Sequence, residues 1–317
     1  MTAIAILHPS NLLGKELRET IEARRPDWAD LRLLSSREDE IGTLTEVGGS
    51  AVLVGRWEPE SLQGVDVAFF CGSIEDNRPL LAELPPETLG IVLSFDATVD
   101  DGLPVVAGVN TSSTAPAVTR RVLLSPHPAV VLLAHLLHPL KSLSPLEVAA
   151  TVIQPVSMRD ERGLEELFEN TRQIVAMTRR TPTPVFGTQL AFNLLPSPLP
   201  ADPVAAQLRP VLADAPPVAL QLLQGAVFHS VSASVHVRLA GDPTPQAVRK
   251  ALSASPILET VDKPRLLGPI DAAASDKVLF GTVRKDEAAG GLWLWAVMDN
   301  LTRGGALNAI EIAEALL

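Results

Sequence analysis

The chain has 317 residues, 46% of them hydrophobic, and its 26 Lys and Arg against 37 Asp and Glu give a formal net charge of −11. This length supports two domains with substantial cores, which excludes a disordered chain and a small disulfide scaffold. A net negative chain without a Lys/Arg cluster is a poor binder of nucleic acid and of anionic membranes. Cys71 is the only cysteine, which excludes a disulfide framework and a Cys-based zinc site.

No segment has the character of a targeting peptide or a membrane span. The first ten residues lack a basic region, and the apolar stretch within them, residues 3–7, is only as long as a strand. The longest uncharged apolar stretch near the middle, residues 126–140, falls short of the roughly 20 apolar residues that a bilayer requires. We therefore expect a soluble, cytoplasmic protein that binds neither membranes nor nucleic acid.

Strands and helices alternate in the first 125 residues. One stretch of apolar residues at helical spacing predicts a helix over residues 15–25. Short apolar runs predict strands at residues 3–7, 31–34, 65–70 and 89–93. Such alternation is typical of a parallel sheet with helices on both faces, so we predict a Rossmann-like α/β domain.

The pattern changes near residue 127, where we place a domain boundary. Longer strands, together with a helix over residues 162–178, predict a second domain of the α+β class, and a further helix is predicted at the end of the chain, over residues 305–317. Residues 181–217 hold nine prolines, which predicts an extended segment without long helices. The longer strands are predicted at residues 148–156, 220–228, 231–239 and 292–298.

The turn after the first strand is an incomplete phosphate-binding loop. Residues 8–14 read HPSNLLG, so only Gly14 remains of the glycines that let a backbone approach a pyrophosphate, and Pro9 lacks an N–H group. The second strand ends in Ser36 and Arg37, a hydroxyl and a cation that suit a ribose 2′-phosphate; an ordinary solvated turn is the alternative. The acidic run at residues 38–40 and the pair at 165–166 fit solvated faces.

The histidines and the cysteine give no complete catalytic or metal site. His135 and His138 have helical spacing, but no third ligand lies at a suitable distance in the sequence, so we predict no metal and two core histidines. His229 and His236 could act as general bases, but neither has a visible nucleophile partner. Cys71 follows an apolar strand and fits a small core residue.

Four segments together resemble the aspartate-semialdehyde dehydrogenase family. Residues 299–308 read DNLTRGGALN, where the family has DNLRKGAALNA, and residues 189–196 read QLAFNLLP, where it has QIAFNVIP. Residues 64–70, GVDVAFF, are similar to its strand GVDIALF, and residues 154–157, QPVS, are similar to the start of its QAVSGAG segment. The resemblance extends over nearly the whole chain.

This resemblance implies a domain organisation, a cofactor and a partner. Residues 1–127 and 300–317 would form an NAD(P)-binding domain, and residues 128–299 a catalytic-type dimerisation domain. The cofactor would be NADP, and a homodimer would form through the second domain's sheet, where the apolar face of residues 231–239 fits either this interface or helix packing within the domain. Substrate contacts would come from Gln154 and Asn193. Cofactor contacts would come from Ser10, Gly14, Ser36, Arg37 and Asn300.

The departures from the family motifs are concentrated at its chemistry. Its nucleophilic cysteine lies in N-P-N-C-S-T, but residues 125–130 read SPHPAV and place Pro128 there. Its catalytic histidine falls on Val231, and a substrate-binding arginine falls on Gln224. A second arginine is missing between residues 95 and 101. The resemblance therefore implies a less cationic, more apolar cleft in which the family's thioester cannot form.

Two hypotheses of different classes follow. In the first, the chain is a family homologue that does not catalyse the acyl-enzyme reaction and acts as a scaffold, a sensor or a partner subunit, with a protein partner beside its second copy. In the alternative, it is an NADP-dependent oxidoreductase acting on an aldehyde or oxo substrate of amino-acid biosynthesis, since direct hydride transfer needs no cysteine.

Overall fold

The computed structural model describes residues 2–25, 28, 30–47, 49–114, 121–177, 182–261, 263 and 266–317. The chain divides into two compact units, unit 1 with residues 1–127 and 305–317 and unit 2 with residues 128–304. The sequence prediction returns the chain to the first domain at residue 300, whereas the structure does so at Gly305. Among the described residues, every helix lacks the length or the apolar character needed to cross a bilayer.

The strands, in chain order, are β1 (Ala3–Leu7), β2 (Asp30–Ser35), β3 (Leu44–Val47), β4 (Ser50–Leu53), β5 (Gly55–Arg56), β6 (Val67–Phe70), β7 (Leu89–Val92), β8 (Leu103–Pro104), β9 (Val122–Leu124), β10 (Pro145–Gln154), β11 (Leu194–Pro196), β12 (Val218–Gly225), β13 (Val231–Leu239), β14 (Leu258–Thr260), β15 (Val278–Lys285) and β16 (Leu292–Met298). The helices are α1 (Leu12–Arg24), α2 (Ile74–Ala82), α3 (Thr111–Thr114), α4 (Pro128–Leu137), α5 (Asp160–Val175), α6 (Ala201–Val211), α7 (Pro245–Leu252) and α8 (Asn308–Leu316). Single 3-10 turns lie at Pro59–Leu62, Pro139–Leu143, Val156–Arg159 and Pro269–Ala272, and a π-helical segment, Thr302–Leu307, leads into α8.

Unit 1 contains the predicted Rossmann-like sheet, with strand order β5-β2-β1-β6-β7-β9-β8 and parallel pairing throughout. Strand β6 and all but the first residue of β1 are fully buried, as expected for central parallel strands covered on both faces. The chain leaves β1 for β2 on one side and places β6 on the other. Such a change of direction opens a crevice at the carboxyl ends of the strands, which is where open α/β sheets bind their ligands.

Two local features fix the start of α1 beside this crevice. The Asn11 side chain caps the helix by accepting a hydrogen bond from the Gly14 N–H at 2.7 Å. A Cβ atom at Gly14 would lie 2.6 Å from the carbonyl oxygen of Pro9, so a larger residue would push the loop away from the helix. The glycine is therefore required by close backbone packing.

Helix α8 completes unit 1 from the far end of the sequence. The Asn308 Oδ1 atom accepts a hydrogen bond from the Ala107 N–H at 2.9 Å, and its Nδ2 group donates to Ser125 Oγ at 2.9 Å and to the Val105 carbonyl at 3.2 Å. Asn308 is fully buried. The Asn308 amide thus provides hydrogen-bond partners for buried polar groups of two segments, one at residues 105–107 and one at Ser125.

Unit 2 is built on a mixed sheet with strand order β11-β12-β10-β13-β16-β15-β14. The alternation predicted for β13 is present, because Val231, Ala233, Val235 and Val237 are buried on one face. Helix α4, which is buried along its whole length, packs against this face at β13 and β16. Of the two alternatives predicted for this apolar face, helix packing within the domain is the one found, since a helix of the same unit covers it.

The proline-rich segment also differs from its prediction, because it contains the 11-residue helix α6. Pro203 stands in the first turn, where a backbone N–H has no partner within the helix. Pro210 stands one residue before the helix ends, so the helix is lost soon after the ring removes its hydrogen bond. The prediction of no long helix is based on the number of prolines, whereas their positions at the two ends of the helix decide the outcome.

Candidate functional site

The crevice of unit 1 contains a buried histidine at the start of the loop that lacks the phosphate-binding glycines. His8 follows β1, has a φ of 55°, and is 0% exposed. Its Nδ1 atom forms a hydrogen bond with Ser35 Oγ at 3.0 Å and lies 3.9 Å from Glu40 Oε2. Its side chain also lies against Gly72, where a Cβ would come within 3.4 Å of the His8 Cβ. His8 therefore joins the ends of β1, β2 and β6 at the crevice.

Charged side chains follow β2 at the same edge. Arg37 donates from Nη2 and Nε to the two carboxylate oxygens of Asp39, at 3.1 and 3.4 Å. This hydrogen-bonded pairing lowers the pKa of Asp39 and raises that of Arg37. The Arg37 Nε atom is also 3.7 Å from Glu40 Oε1. Glu40 is buried, so the prediction that the whole acidic run is solvated is wrong at this residue.

Burial determines the charge of His8. Removal of the ring from water is the largest effect and lowers its pKa, and the positive charge of Arg37 acts in the same direction. The nearby carboxylates of Asp76 and Asp39 oppose this shift without reversing it. The imidazole is therefore neutral at neutral pH, and it serves as a hydrogen-bonding group rather than as a cation.

These residues fit part of a dinucleotide. The amino end of α1 faces the loop and favours a negative group. Among the described residues, the Nε2 atom of His8 has no hydrogen-bond partner, which leaves one buried polar atom for a ligand to satisfy. Pro9 offers no N–H group, and the Gly14 N–H is already taken by Asn11. The loop thus keeps the helix terminus and has fewer free donors than a glycine-rich loop.

The four cofactor residues predicted in unit 1 lie around this crevice with different exposures. Gly14 is buried and serves loop packing, and Ser10 is half-buried in the loop. Ser36 and Arg37 are both exposed after β2. Strand order brings the first loop and the end of β2 to one edge, as the prediction required.

The nucleophile and base positions of the family hold apolar residues in unit 2. Pro128 is the first residue of α4 and is buried, a position where its missing N–H costs nothing. Val231 is the first residue of β13, is 0% exposed and pairs with Met298 of β16. A Cβ at Gly304 would lie 3.1 Å from the Pro128 Cβ and 2.7 Å from the Met298 Cε. Proline, methionine and glycine therefore fill the region around the absent thiol.

Asn300, predicted as a cofactor contact, is a buried structural link in unit 2. Its Oδ1 atom accepts a hydrogen bond from the Ser230 N–H at 2.9 Å, and its Nδ2 group donates to Ser157 Oγ at 3.0 Å. Ser230 has a φ of 73°, and Ser157 follows β10 in a 3-10 turn. The Asn300 amide thus fixes a left-handed residue just before the family's base position.

The two predicted substrate residues have different surroundings. Gln154 ends β10 and is buried, and its Oε1 atom accepts a hydrogen bond from Ser197 Oγ at 2.7 Å. Gln224, its register partner on β12, donates to the Gln154 carbonyl at 3.0 Å. Asn193 is exposed, and its amide bonds the Gln189 carbonyl and the Leu194 N–H of its own loop. Neutral amides therefore occupy the place of the family's anion-binding arginine.

His135 lies in α4, and His138 follows directly after the helix. Groups of three or more His, Cys, Asp or Glu side chains arranged to hold a metal are absent from the part of the chain that the structure describes. His135 is buried, and burial together with the charge of Arg303 lowers its pKa to about 3. His138 is exposed, so the prediction of two core histidines is right for the first and wrong for the second.

Sequence reasoning missed two buried residues at the unit 1 crevice. His8 was treated only as a lost glycine, and Glu40 as part of a solvated run. The one signal available was position, because both residues lie at or just beyond the carboxyl end of a predicted strand, where ligand-binding residues collect. Neither residue type nor spacing shows that the carboxylate of Glu40 turns inward.

Comparisons with known proteins bear on the family and the fold of this chain. Residues 205–303 match the family profile described as "Semialdehyde dehydrogenase, dimerisation domain". Aspartate-semialdehyde dehydrogenase of Bacillus subtilis (strain 168) is 26% identical, with 99% of this chain and 96% of that protein covered. The USG-1 protein homolog of Azotobacter vinelandii is 30% identical, with 99% and 97% covered.

A solved structure gives the same result for the fold. The probable aspartate-semialdehyde dehydrogenase from Pseudomonas aeruginosa matches with a TM-score of 0.89 and 25% identity, over 99% of this chain and 98% of that chain. The predicted combination of a Rossmann-like domain and an α+β dimerisation-type domain is therefore confirmed. This chain belongs to the aspartate-semialdehyde dehydrogenase family.

Proposed function

We propose that this chain is a family member that does not form the acyl-enzyme intermediate and that it acts as a scaffold, a sensor or a partner subunit. The proposal rests on the motif comparison, in which Pro128 falls on the family's nucleophile position and Val231 on its base position. It is supported by the buried starts of α4 and β13 at these two residues. Without a thiolate, the covalent path itself is absent. Cys71 offers no replacement, because it lies in unit 1, is fully buried, and has its pKa raised by that burial.

The test is a turnover assay with aspartate semialdehyde, phosphate and either NADP+ or NAD+, with the Bacillus subtilis enzyme as the positive control. We expect no reduced cofactor above the blank from this chain. Turnover that disappears in Cys71→Ala would contradict the proposal, because it would assign a nucleophile elsewhere. Turnover that survives in Cys71→Ala would instead favour direct hydride transfer.

Dinucleotide binding without this turnover is part of the proposal. His8, Ser10, Ser36 and Arg37 would hold the adenosine half at the crevice of unit 1, next to the amino end of α1. A bound dinucleotide would supply hydride transfer, which also keeps the second candidate function, an oxidoreductase for an aldehyde or oxo substrate. The buried unpartnered Nε2 atom of His8 favours a bound ligand over an empty crevice.

Calorimetric titration separates the roles. Saturable binding of a nicotinamide dinucleotide at micromolar concentration supports a sensor or an oxidoreductase. If no binding occurs at millimolar concentration, the scaffold role remains and dinucleotide binding is excluded. Thermal unfolding with and without the ligand provides an independent check, since a ligand that binds only the folded state raises its stability.

We further propose that the chain forms a homodimer through the polar face of the unit 2 sheet. The family profile that matches unit 2 is that of a dimerisation domain. Helix α4 covers the opposite face of β13 and β16, and the polar face carries half-buried tryptophans around a groove of about 360 Å³. This groove is lined by Ser234, Thr282, Arg284, Trp293, Leu294 and Trp295.

Light scattering after size-exclusion chromatography tests the dimer. The expected mass is twice the 33.7 kDa of one chain. Ser234→Arg places a charge in the groove and should shift the mass to that of a monomer. Ser253→Arg, the same change at the exposed end of α7, should remain dimeric. A monomeric parent chain, or an unchanged Ser234→Arg dimer, would contradict this interface.

A further inference from the structure

The cations at the end of β2 are already engaged by carboxylates. Arg37 forms the two hydrogen bonds with Asp39 described above. Arg56 of β5 donates to both carboxylate oxygens of Glu38, at 2.7 and 2.9 Å. Two-point pairing of this kind occupies one edge of each guanidinium and offsets its charge. Both arginines are therefore already partly neutralised before a ligand binds.

A third carboxylate leaves the edge with an excess of negative charge. Glu40 is 7% exposed and stands between Arg37 and His8, at 3.7 and 3.9 Å. Three acidic side chains thus accompany two basic ones at this end of β2 and β5. His8 does not offset the excess, because burial keeps its ring neutral. A dianionic phosphate brought here would meet repulsion from a carboxylate that water screens poorly.

A second observation indicates that this edge receives a ligand. His8 is 0% exposed, and its Nε2 atom is without a hydrogen-bond partner among the residues that the structure describes. Its Nδ1 atom is held by Ser35 Oγ, which also accepts a hydrogen bond from the Arg37 N–H at 3.0 Å. The imidazole is thus fixed in orientation, with one buried polar atom available. A ribose hydroxyl can satisfy such an atom either as donor or as acceptor.

We propose that this crevice selects a dinucleotide whose adenosine ribose has a free 2′-hydroxyl, so that NAD(H) binds in preference to NADP(H), with Asp39 and Glu40 determining the preference. A hydroxyl donates to a carboxylate, whereas a 2′-phosphate at Arg37 would be repelled by the carboxylates of Asp39 and of the buried Glu40. The inference rests on the proposed dinucleotide binding. It reverses what Arg37 suggests in the sequence alone.

Titration calorimetry of the full-length chain with NAD+ and NADP+ tests the preference. We expect NAD+ to bind at least about tenfold more tightly, the effect of roughly one charge-assisted hydrogen bond. Asp39→Asn changes an exposed side chain and releases Arg37, so it should tighten NADP+ binding with little effect on NAD+. Glu40→Gln should reduce the difference between the NAD+ and NADP+ affinities further. Thermal unfolding of the buried-site variant verifies that it is folded.

Glu87→Gln is the matched control, since it removes one exposed carboxylate just before β7, at the amino ends of the strands and away from the crevice. It should leave both affinities unchanged. Equal or tighter binding of NADP+ by the parent chain would overturn the selectivity while leaving dinucleotide binding in place. Binding of neither dinucleotide would overturn the dinucleotide binding on which the selectivity rests. If Asp39→Asn does not reduce the preference for NAD+, Asp39 does not determine that preference.

Discussion

The two units differ in charge at the places where the family's chemistry would occur. In unit 1, His8, Arg37, Asp39 and Glu40 form a compact cluster of titratable groups at the strand ends. In unit 2, the corresponding positions hold Pro128 and Val231 with neutral amides and hydroxyls nearby. A charged crevice suits recognition of a polar ligand, whereas a proline and a valine supply neither a thiolate nor a general base. This difference is the basis of the proposed function, in which unit 1 binds a ligand and unit 2 does not form the acyl-enzyme.

Asn300→Ala should have the largest effect on stability, and it tests whether the neutral network of unit 2 is structural. The change removes both hydrogen bonds of a fully buried amide and leaves the Ser230 N–H and the Ser157 hydroxyl unsatisfied. We expect the free energy of unfolding to fall by about 4 kcal/mol. Chemical denaturation measures it. Asn193→Ala, at an exposed loop, should change it by less than about 0.5 kcal/mol; equal losses would refute the distinction.

Gly14→Ala tests the packing of the unit 1 loop. The new Cβ would lie 2.6 Å from the Pro9 carbonyl oxygen, so the loop or the start of α1 must move. We expect a loss of about 2–3 kcal/mol in the free energy of unfolding and weaker dinucleotide binding. Gly268→Ala is the control, because its φ of −137° suits alanine and no atom lies within 4 Å of the added Cβ. A stable Gly14→Ala variant with normal binding would contradict this packing.

His135→Leu tests burial of a titratable group in unit 2. The folded pKa of about 3 lies below the ordinary histidine pKa of 6.5, so the unfolded state takes up the proton first as the pH falls. Stability is therefore lost below pH 6.5, with a slope of about 1.4 kcal/mol per pH unit. The leucine variant should lose about 2 kcal/mol less than the parent chain on acidification to a pH of about 5.

His138→Gln is the matched control for the loss of a histidine, because His138 is exposed just before the Pro139–Leu143 segment. At neutral pH its unfolding free energy should differ from that of the parent chain by less than about 0.5 kcal/mol. His8 contributes a loss of the same sign, because its pKa is also lowered by burial, so His135→Leu should reduce the pH dependence without removing it. If the pH dependence of stability is unchanged in His135→Leu, the ring takes up its proton equally in the folded and unfolded states, which would contradict the lowered pKa.

Cys71→Ala should have the smallest functional effect. The thiol is fully buried in unit 1 and its pKa is raised, so a thiol reagent should label the parent chain only after unfolding. Dinucleotide affinity should be the same in both chains. Rapid labelling of the native chain, or a loss of binding in the variant, would give Cys71 a role that its environment does not support.

Most of the fold can be predicted from the sequence, but only part of the candidate site can. Local apolar periodicity is enough to find β1, β2, β6 and β7, because these strands are short, buried and bounded by polar turns. The predicted helix start at Pro128 and strand start at Val231 are both found, whereas the family roles assigned to these two positions stay predictions.

Three features depend on tertiary contacts, which cannot be predicted from the local sequence. The burial of Glu40 results from a contact with Arg37 and His8 across two strand ends. The apolar face of β13 is covered by α4, which periodicity cannot distinguish from a partner subunit. Asn300 is identified by its motif, but only the structure shows that its amide is used to hold Ser230 and Ser157.

The intact mass of the chain, after incubation with aspartate semialdehyde and NAD+ or NADP+ in the absence of phosphate, tests the central claim most directly. Without phosphate, a family member with a working nucleophile retains its acyl group, because the acceptor that releases it is missing. Our account predicts an unchanged mass with both cofactors, since Pro128 replaces the thiol. A stoichiometric acyl adduct on the chain would contradict it.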